Sequence, residues 1–395
     1  MKTIRVSCIV VAPFLVGAAS LAGAAILQVG PGQPYATPCA AIAAAPASST
    51  IQIDAAGSYN GDVCGWSTNG LTLQGINGRP HIDAAGNNSG GKAIWVIAGD
   101  NTTIDNIELS GCTVPDGNGA GIRQEGHNLT VLHSYFHNNQ DGILAGDLAG
   151  STITIKFSEF ANNGAGDGQT HNLYINHVDQ LVFKYNWSHQ AIVGHLLKTR
   201  ARQNFILYNR LTGEANGSES YEISMPSGGV SYVIGNLIEQ PATTQNSAML
   251  DYLSETAGAN TDNQLFVVNN TFVNDRVGGT FMQIGSATTL PIVARNNIFF
   301  GSGTICSQSN PVPTLDHNYS GNTPLFVDAA TFNYRLQPGS PAINAGIDPG
   351  NGAGQSLVPV EEYQHPMASA PRTIGGVIDI GAYEFDAIFK DGFGG

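Results

Sequence analysis

The chain has 395 residues, of which 42% are hydrophobic and only 12% are charged, and its formal net charge is −14. A chain of this composition can bury one long core. Its acidic balance, and the lack of any nucleic-acid-binding motif in the sequence, argue against a nucleic acid partner.

The N-terminal residues predict a secretory signal peptide over residues 1–25. Lys2 and Arg5 precede an apolar stretch at 6–21, and the small residues 22–25 offer a cleavage site near Ala24 and Ala25. This stretch is too short to favour a membrane span, and no later segment is long and apolar enough. We therefore expect a secreted protein, extracellular, periplasmic or at the cell surface, whose mature form has a net charge of about −16.

The next segment, 26–60, predicts an N-terminal cap and a first strand. An alanine-rich stretch around residues 38–46 favours a short helix, and residues 49–59 follow as a strand. Unpaired strand backbone at an open sheet end invites aggregation, so a helix here would cover that end.

A repeat of about 27 residues dominates the middle of the chain. Seven short apolar runs carry a Ser or Asn at the same place, with spacings of 24, 28, 23, 27, 34 and 27 residues. These anchors are Ser134, Ser158, Asn186, Asn209, Asn236, Asn270 and Asn297. Two or three β-type runs per repeat, with almost no amphipathic helix, indicate a coil that stacks on copies of itself. Stacked amides would satisfy turn backbone along the axis, so we interpret the anchors as structural.

This pattern resembles the right-handed parallel β-helix of the pectate-lyase-like superfamily. The resemblance implies an all-β solenoid, with coils over 61–322, a short N-terminal capping helix and a C-terminal closing segment over 323–395. Residues 323–328, 339–346 and 375–384 resemble the closing segment of exported bacterial β-helix proteins, with 347–372 as a long surface loop. The aromatic tail 388–395 follows.

Four cysteines remain after the signal peptide: Cys39, Cys64, Cys112 and Cys306. Coils stack about 4.8 Å apart, so Cys112 and Cys306 lie roughly 30 Å or more apart and cannot form a bridge. Cys39 with Cys64 and Cys64 with Cys112 both remain open, and we favour the first pair.

Each repeat carries a second strand-like run, and the residues of these runs predict the candidate site. If Ile143, Leu173 and Leu197 and their equivalents point inward, strand alternation places one ladder of residues outside. This ladder comprises Leu144, Tyr174, Lys198, Ser224 and Asp251. Tyr174 and Lys198 would be neighbours about 5 Å apart, with Asn176 and Arg200 two residues further along.

This set of side chains suits β-elimination from a uronic-acid polymer. That reaction needs a base, a group that neutralises the sugar carboxylate and an acid for the leaving oxygen. Lys198 is the predicted base, Tyr174 the acid and Arg200 the carboxylate-neutralising group, while His171 and His195 would orient groups or shuttle protons. Asn172, Asn176, Arg202, Asp167 and Glu222 are the predicted substrate contacts, although Asp167 fits a turn equally well.

Lys198-Thr199 resembles the short Lys-Ser/Thr segment that holds the catalytic lysine of alginate- and chondroitin-cleaving lyases. Those enzymes carry an essential arginine on the following coil, where this chain has residues 221–226, so Arg200 would substitute from the same strand. The resemblance implies an anionic polysaccharide substrate. No cofactor is required, although Ca²⁺ could help to hold the carboxylate, and the sequence does not indicate an oligomeric state.

Lys184, Lys198, Arg200, Arg202 and Arg210 predict a local basic strip for this substrate on an otherwise acidic body. Two alternatives stay open. One is a polygalacturonase-like glycoside hydrolase, for which Asp141, Asp167, Glu222 and Asp251 could supply paired carboxylates. The other is a non-catalytic glycan-binding or surface-adhesion β-helix, because a fold does not imply a reaction.

Overall fold

A computed structural model describes residues 1–4 and 23–385. The apolar core of the predicted signal peptide and the aromatic tail 388–395 lie outside the described residues. Within the described part, no helix is long and apolar enough to cross a membrane.

The protein is a parallel β-helix in which three sheets form the sides of a repeating coil. The first sheet has 12 strands and each of the other two has 10, and neighbouring strands in a sheet come from successive coils. We call these sheets face 1, face 2 and face 3, in the order in which a coil visits them. The all-β solenoid predicted from the repeat is confirmed.

Face 1 consists of strands Ile26–Val29, Thr50–Asp54, Thr72–Ile76, Thr102–Asp105, Leu129–Leu132, Leu148–Lys156, Val178–Lys184, Gln203–Leu207, Val230–Ile234, Gln264–Val268, Val293–Arg295 and Thr314–Asp316. Face 2 consists of His81–Asp83, Glu108–Ser110, Tyr135–His137, Glu159–Ala161, Trp187–His189, Arg210–Thr212, Leu237–Gln240, Thr271–Asn274, Ile298–Gly301 and Tyr319–Ser320. Face 3 consists of Cys64–Trp66, Ala93–Ile97, Ala120–Gln124, Asp141–Ala145, Leu173–Ile175, Lys198–Thr199, Ile223–Met225, Ala248–Tyr252, Thr280–Ile284 and Thr304–Cys306.

Alternating side chains fill the inside of the coil. In strand Thr50–Asp54, Ile51 and Ile53 are fully buried, whereas their neighbours are partly exposed. Equivalent positions of successive coils stack, so that the rings of Phe136 and Phe160 lie nearly parallel with their centroids 5.0 Å apart. The core is therefore a set of columns of like residues along the axis, as the strand period of two requires.

The predicted Ser and Asn anchors form a continuous buried ladder at the turn between face 1 and face 2. The Asn186 N–H donates to Asn209 Oδ1, and the Asn209 N–H donates to Asn236 Oδ1, each at 2.9 Å. The residue before each of these two anchors has a positive φ, 61° at Tyr185 and 53° at Tyr208, which is unfavourable for a bulky side chain. The amide ladder holds this turn in place, and its structural interpretation is confirmed.

A second, shorter amide ladder lies at the turn between face 2 and face 3. The Asn139 N–H donates to Asn163 Oδ1 at 3.1 Å, and the Asn163 N–H donates to Asn172 Oδ1 at 3.3 Å. All three side chains are buried. The sequence analysis did not identify this ladder, because it spans only three residues and has no constant spacing.

The N-terminal cap contains helix Pro38–Ala44, capped by Thr37, whose Oγ1 accepts a hydrogen bond from the Ala40 N–H at 3.4 Å. Ala41 and Ile42 are buried against the first coils. A disulfide joins Cys39 to Cys64, with the Cα atoms 5.8 Å apart, and confirms the favoured pairing. It ties the helix to the first strand of face 3.

The C-terminal segment packs along the side of the solenoid, and its role in closing the end stays a prediction. It contains three antiparallel strand pairs: Phe326–Asp328 with Asn333–Leu336, Asn351–Gly352 with Gln355–Ser356, and Glu361–Gln364 with Ala368–Pro371. Among the described residues, single-turn 3₁₀ helices occur at Ala329–Thr331 in this segment and at Glu214–Asn216, after a face 2 strand. Residues 347–372 are thus not the predicted long surface loop.

A row of outward aromatic side chains explains this path. Tyr185 and Tyr208 occupy equivalent places on successive coils, and Tyr232 lies on the next coil opposite Phe205. Together they would expose a broad apolar strip. The segment covers them: the Val360 N–H donates to the Tyr208 hydroxyl at 3.0 Å, and the Tyr232 hydroxyl donates to the Gly352 carbonyl at 3.2 Å.

Candidate active site

The predicted outer ladder exists on face 3. Lys198 pairs with Tyr174 of the preceding coil and with Ser224 of the following coil, and Ser224 pairs in turn with Asp251. Tyr174 and Lys198, 24 residues apart in sequence, are therefore direct neighbours, as the repeat register predicted.

Lys198 has an environment that favours its neutral form. Its side chain is half-buried, and Nζ lies 4.7 Å from the centroid of the Tyr174 ring. Burial, and then the positive charge of Arg200, lower the pKa of Lys198, while the carboxylates of Glu255 and Asp251 oppose this effect. A lysine whose pKa is lowered in this way is a better general base near neutral pH.

Arg200 is held by three neighbours. Its Nε donates to the Tyr174 hydroxyl at 3.0 Å, and its Nη1 donates to Ser227 Oγ at 2.9 Å and to Glu255 Oε2 at 2.7 Å. Only 12% of the side chain is exposed. These bonds use Nε and Nη1, so Nη2 is the part of the guanidinium that remains for the carboxylate that Arg200 is predicted to neutralise.

His171 and His195 stack beside the ladder, with ring centroids 4.3 Å apart. The His195 N–H donates to Nδ1 of His171 at 3.1 Å, which leaves the proton of a neutral His171 ring on Nε2. Burial, followed by the neighbouring positive charges, lowers the pKa of both rings, to about 3 for His195. Both are thus neutral over the ordinary pH range and shape the site rather than charge it.

Three carboxylates complete the surroundings of the site, and of these the sequence analysis did not identify Glu255. Asp141 is buried beside the histidines, and its Oδ1 accepts from the His171 N–H at 2.8 Å. Asp251 Oδ2 accepts from Ser254 Oγ at 2.7 Å. Glu255 lies on a loop and pairs with Arg200, which is 55 residues earlier in the sequence. No short-range sequence pattern predicts that contact.

Asn172 and Glu222 do not reach the outer face, and their predicted role as substrate contacts must be corrected. Both side chains are fully buried, and each precedes its outer-ladder residue by two positions. Leu196 and Met249 occupy the equivalent position in other coils and are also buried. The chain turns a corner there, so strand alternation no longer applies. The Asn172 amide donates to the Phe160 and His189 carbonyls, at 3.2 and 2.9 Å. Burial raises the pKa of Glu222 well above its usual range.

The other three predicted substrate contacts lie around the site. Asn176 is half-buried and its Oδ1 accepts from the His177 N–H at 3.0 Å. Arg202 lies at the corner towards face 1, where it is exposed and 3.8 Å from Asp179. Asp167 forms a turn in which Oδ1 accepts from the Gln169 N–H at 2.8 Å and the Thr170 hydroxyl at 3.0 Å, which is the turn that its sequence context allowed.

The predicted basic strip is divided among the faces of the coil. Lys184 lies on face 1 and pairs with Glu361 at 2.7 Å, while Arg210 lies on face 2 and pairs with Glu214 at 3.0 Å. The prediction was wrong because a stretch of this length runs around much of one coil and so points in several directions. Lys198 and Arg200 are the two basic residues of this set that share face 3.

Metal-ligating side chains do not converge at Lys198. In the part of the chain that the structure describes, three such groups approach one another only at His81, Glu108 and His137 on face 2. No step below depends on Ca²⁺, whose participation stays a prediction. A cavity of about 520 Å³ also lies elsewhere, between face 2 and the C-terminal segment, lined by Trp187 and His365 among others.

The fold is similar to that of a solved structure of pectate lyase Pel9A, with a TM-score of 0.61 and 14% sequence identity over 93% of this chain and 98% of that chain. A pectin methylesterase from Aspergillus niger aligns with a TM-score of 0.33 and 10% identity, over 76% of this chain and 85% of that chain. No family model matches the chain, and no curated protein matches its sequence. At this level of identity the likeness shows the fold alone: the chain is a right-handed parallel β-helix.

Proposed function

We propose that this protein is a secreted polysaccharide lyase that cleaves a uronic-acid-containing glycan by β-elimination. The observation that carries the proposal is the pair of Lys198 and Tyr174 on face 3. Arg200 donates a hydrogen bond to Tyr174 and lowers the pKa of Lys198. The fold shared with a pectate lyase supports a polysaccharide substrate.

In the proposed reaction, Lys198 Nζ removes the proton on the carbon next to the sugar carboxylate. The electron pair forms a carbon–carbon double bond, and the bond to the glycosidic oxygen breaks. Tyr174 then protonates that oxygen. Because the Tyr174 oxygen accepts from Arg200 Nε, its own hydrogen is free to be donated. Proton exchange with solvent restores both side chains.

Arg200 would act mainly as a fixed positive charge. It favours the neutral form of Lys198 and directs Nη2 towards the substrate carboxylate, whose charge must be offset before the proton becomes acidic. Glu255 balances this charge in the free protein. His171 and His195, both neutral and buried, would support Tyr174 and Lys198 from below the outer surface. Asn176 and Arg202 would contact the sugars next to the reacting one.

The hydrolase alternative has weaker support. Asp141 and Asp251 stand four coil steps apart on face 3, or roughly 19 Å at the spacing of parallel strands. Paired hydrolytic carboxylates stand about 5–9.5 Å apart. Glu222 is buried, and Asp167 uses one oxygen in its turn.

The direct test is a screen of the mature protein on alginate, pectate, glucuronan and glycosaminoglycans. A lyase produces an unsaturated uronate whose conjugated double bond absorbs in the ultraviolet. New reducing ends without this absorbance would indicate a hydrolase, and binding without either product would indicate a non-catalytic glycan-binding protein.

Tyr174→Phe should lower kcat by about 10²-fold or more, because the ring is kept but the proton donor is lost. Binding of the polymer should change little, so kcat should fall more than KM rises. Tyr221→Phe, a change of the same kind one coil beyond His195, is the matched control. Equal effects of the two substitutions would contradict the assigned role of Tyr174.

Glu255→Gln should move the acidic limb of the kcat/KM profile to lower pH. The Glu255 carboxylate raises the pKa of Lys198, so its removal lowers that pKa and leaves the base deprotonated at a lower pH. The profile is measured on the best polymer substrate between mildly acidic and mildly alkaline pH. A shift in the opposite direction would show that Lys198 is not the group being titrated.

A further inference from the structure

Two histidines and one glutamate converge on the outer surface of face 2, away from the Lys198 ladder. His81, Glu108 and His137 each come from a different, consecutive strand of this sheet. One ligand atom from each lies within 4.8 Å of the others. From this geometry we propose a binding site for a first-row divalent metal ion of the Zn²⁺ class.

The distances suit this ion. Glu108 Oε1 lies 3.0 Å from Nε2 of His137 and 3.7 Å from Nε2 of His81. With metal–ligand bonds of about 2.0–2.2 Å, neighbouring ligand atoms of a tetrahedral zinc site stand roughly 3.3–3.6 Å apart. Small side-chain adjustments would therefore be enough to form the site.

The donor set selects the class of metal. Two imidazole nitrogens and one carboxylate oxygen favour zinc and its first-row neighbours, whereas Ca²⁺ and Mg²⁺ prefer oxygen ligands alone. The side chains of His81, Glu108 and His137 are 42%, 25% and 16% exposed. The fourth position thus faces solvent and would hold water.

Neighbouring groups already orient the ligands. The ring of His137 stacks on Tyr135 with centroids 4.3 Å apart, and its Nδ1 lies 3.0 Å from the Asn138 side-chain amide. A rotation of that amide would offer its oxygen to Nδ1–H, as the outer ligand shell of metal-bound histidine requires. Nε2 of His81, which lies 2.7 Å from Ser110 Oγ, would exchange this hydrogen bond for the metal.

Other histidines of the coils show why the cluster is distinctive. His133 lies 2.9 Å from Asp105 and His127 lies 3.2 Å from Asp100, so single histidine–carboxylate pairs are common on this protein. Within the described ranges, the site around Glu108 is the one where a second histidine joins such a pair.

The test is titration of the metal-stripped mature protein with ZnCl₂ by calorimetry, and with CoCl₂ by visible absorption. We expect one equivalent to bind, with the intense visible bands of tetrahedral Co²⁺. Zinc should raise the Tm, because the ion would link three successive coils in the native state only. His81→Ala and Glu108→Gln should abolish the binding and the rise in Tm, and His133→Ala should keep both.

His81 is well exposed, so the His81→Ala variant is expected to fold, and circular dichroism verifies this. Absence of zinc binding by the wild-type protein would show that the three residues are only an ion-pair network and would overturn the proposal. Equal loss in His133→Ala would overturn it as well. Neither result depends on whether the protein is a lyase.

Discussion

Lys198→Ala should abolish β-elimination and leave the fold intact. The substitution removes the proposed base, and loss of a general base costs about 10²–10⁴-fold in rate. The side chain is half-buried on the outer ladder and is not part of the apolar core, so coil stacking should persist. The measurement is the initial rate of unsaturated product formation, together with the Tm.

Two further variants make this test specific. Lys198→Arg keeps the positive charge but cannot give up its proton at ordinary pH, so it should be as inactive as the alanine variant. Lys156→Ala removes an equally half-buried lysine on face 1 and should keep full activity. An active Lys198→Ala protein would remove Lys198 from the mechanism, whatever the substrate is.

Asn236→Ala should cause a large loss of stability, because it removes a central rung of the buried amide ladder. The Asn236 amide accepts from both the backbone N–H and Nδ2 of Asn209, each at 2.9 Å, and donates to the Ile206 carbonyl at 2.8 Å. All of these groups are buried, and a buried polar group without its partner costs about 1–3 kcal/mol. We expect the free energy of unfolding to fall by about 3 kcal/mol.

Thermal and urea unfolding followed by circular dichroism measure this loss. Asn236→Ser should be intermediate, because Ser158 holds an equivalent rung, where its Oγ accepts from the Ser134 N–H at 3.2 Å. Asn322→Ala, at an exposed turn, should change little. If Asn236→Ala and Asn322→Ala were equally mild, the ladder would not be a main source of stability.

The fold and the central register of the site were predictable because they arise from periodicity. One spacing recurs along the chain, and strand side chains alternate with a period of two, so the sequence alone places Tyr174 and Lys198 side by side. The same reasoning failed at the corners of the coil. Asn172 and Glu222 turn inward there, since a bend interrupts the alternation.

Contacts made by irregular segments were not predictable in the same way. The loop that carries Glu255 leaves the solenoid two coils after Arg200 and folds back to contact it. Nothing in the composition of the loop specifies this contact. The C-terminal segment likewise contacts Tyr208 across 152 residues of sequence. Such contacts depend on the shape of a finished surface, which a sequence pattern does not describe.

The C-terminal segment has a further consequence for how the protein unfolds. A solenoid whose coils touch only their neighbours can lose them one at a time from an end. Here one segment reaches Tyr185, Tyr208 and Tyr232, which belong to successive coils, and so acts as a strap across them. Those coils cannot separate until the strap detaches, which makes their unfolding cooperative and protects the strands that carry Lys198 from local fraying.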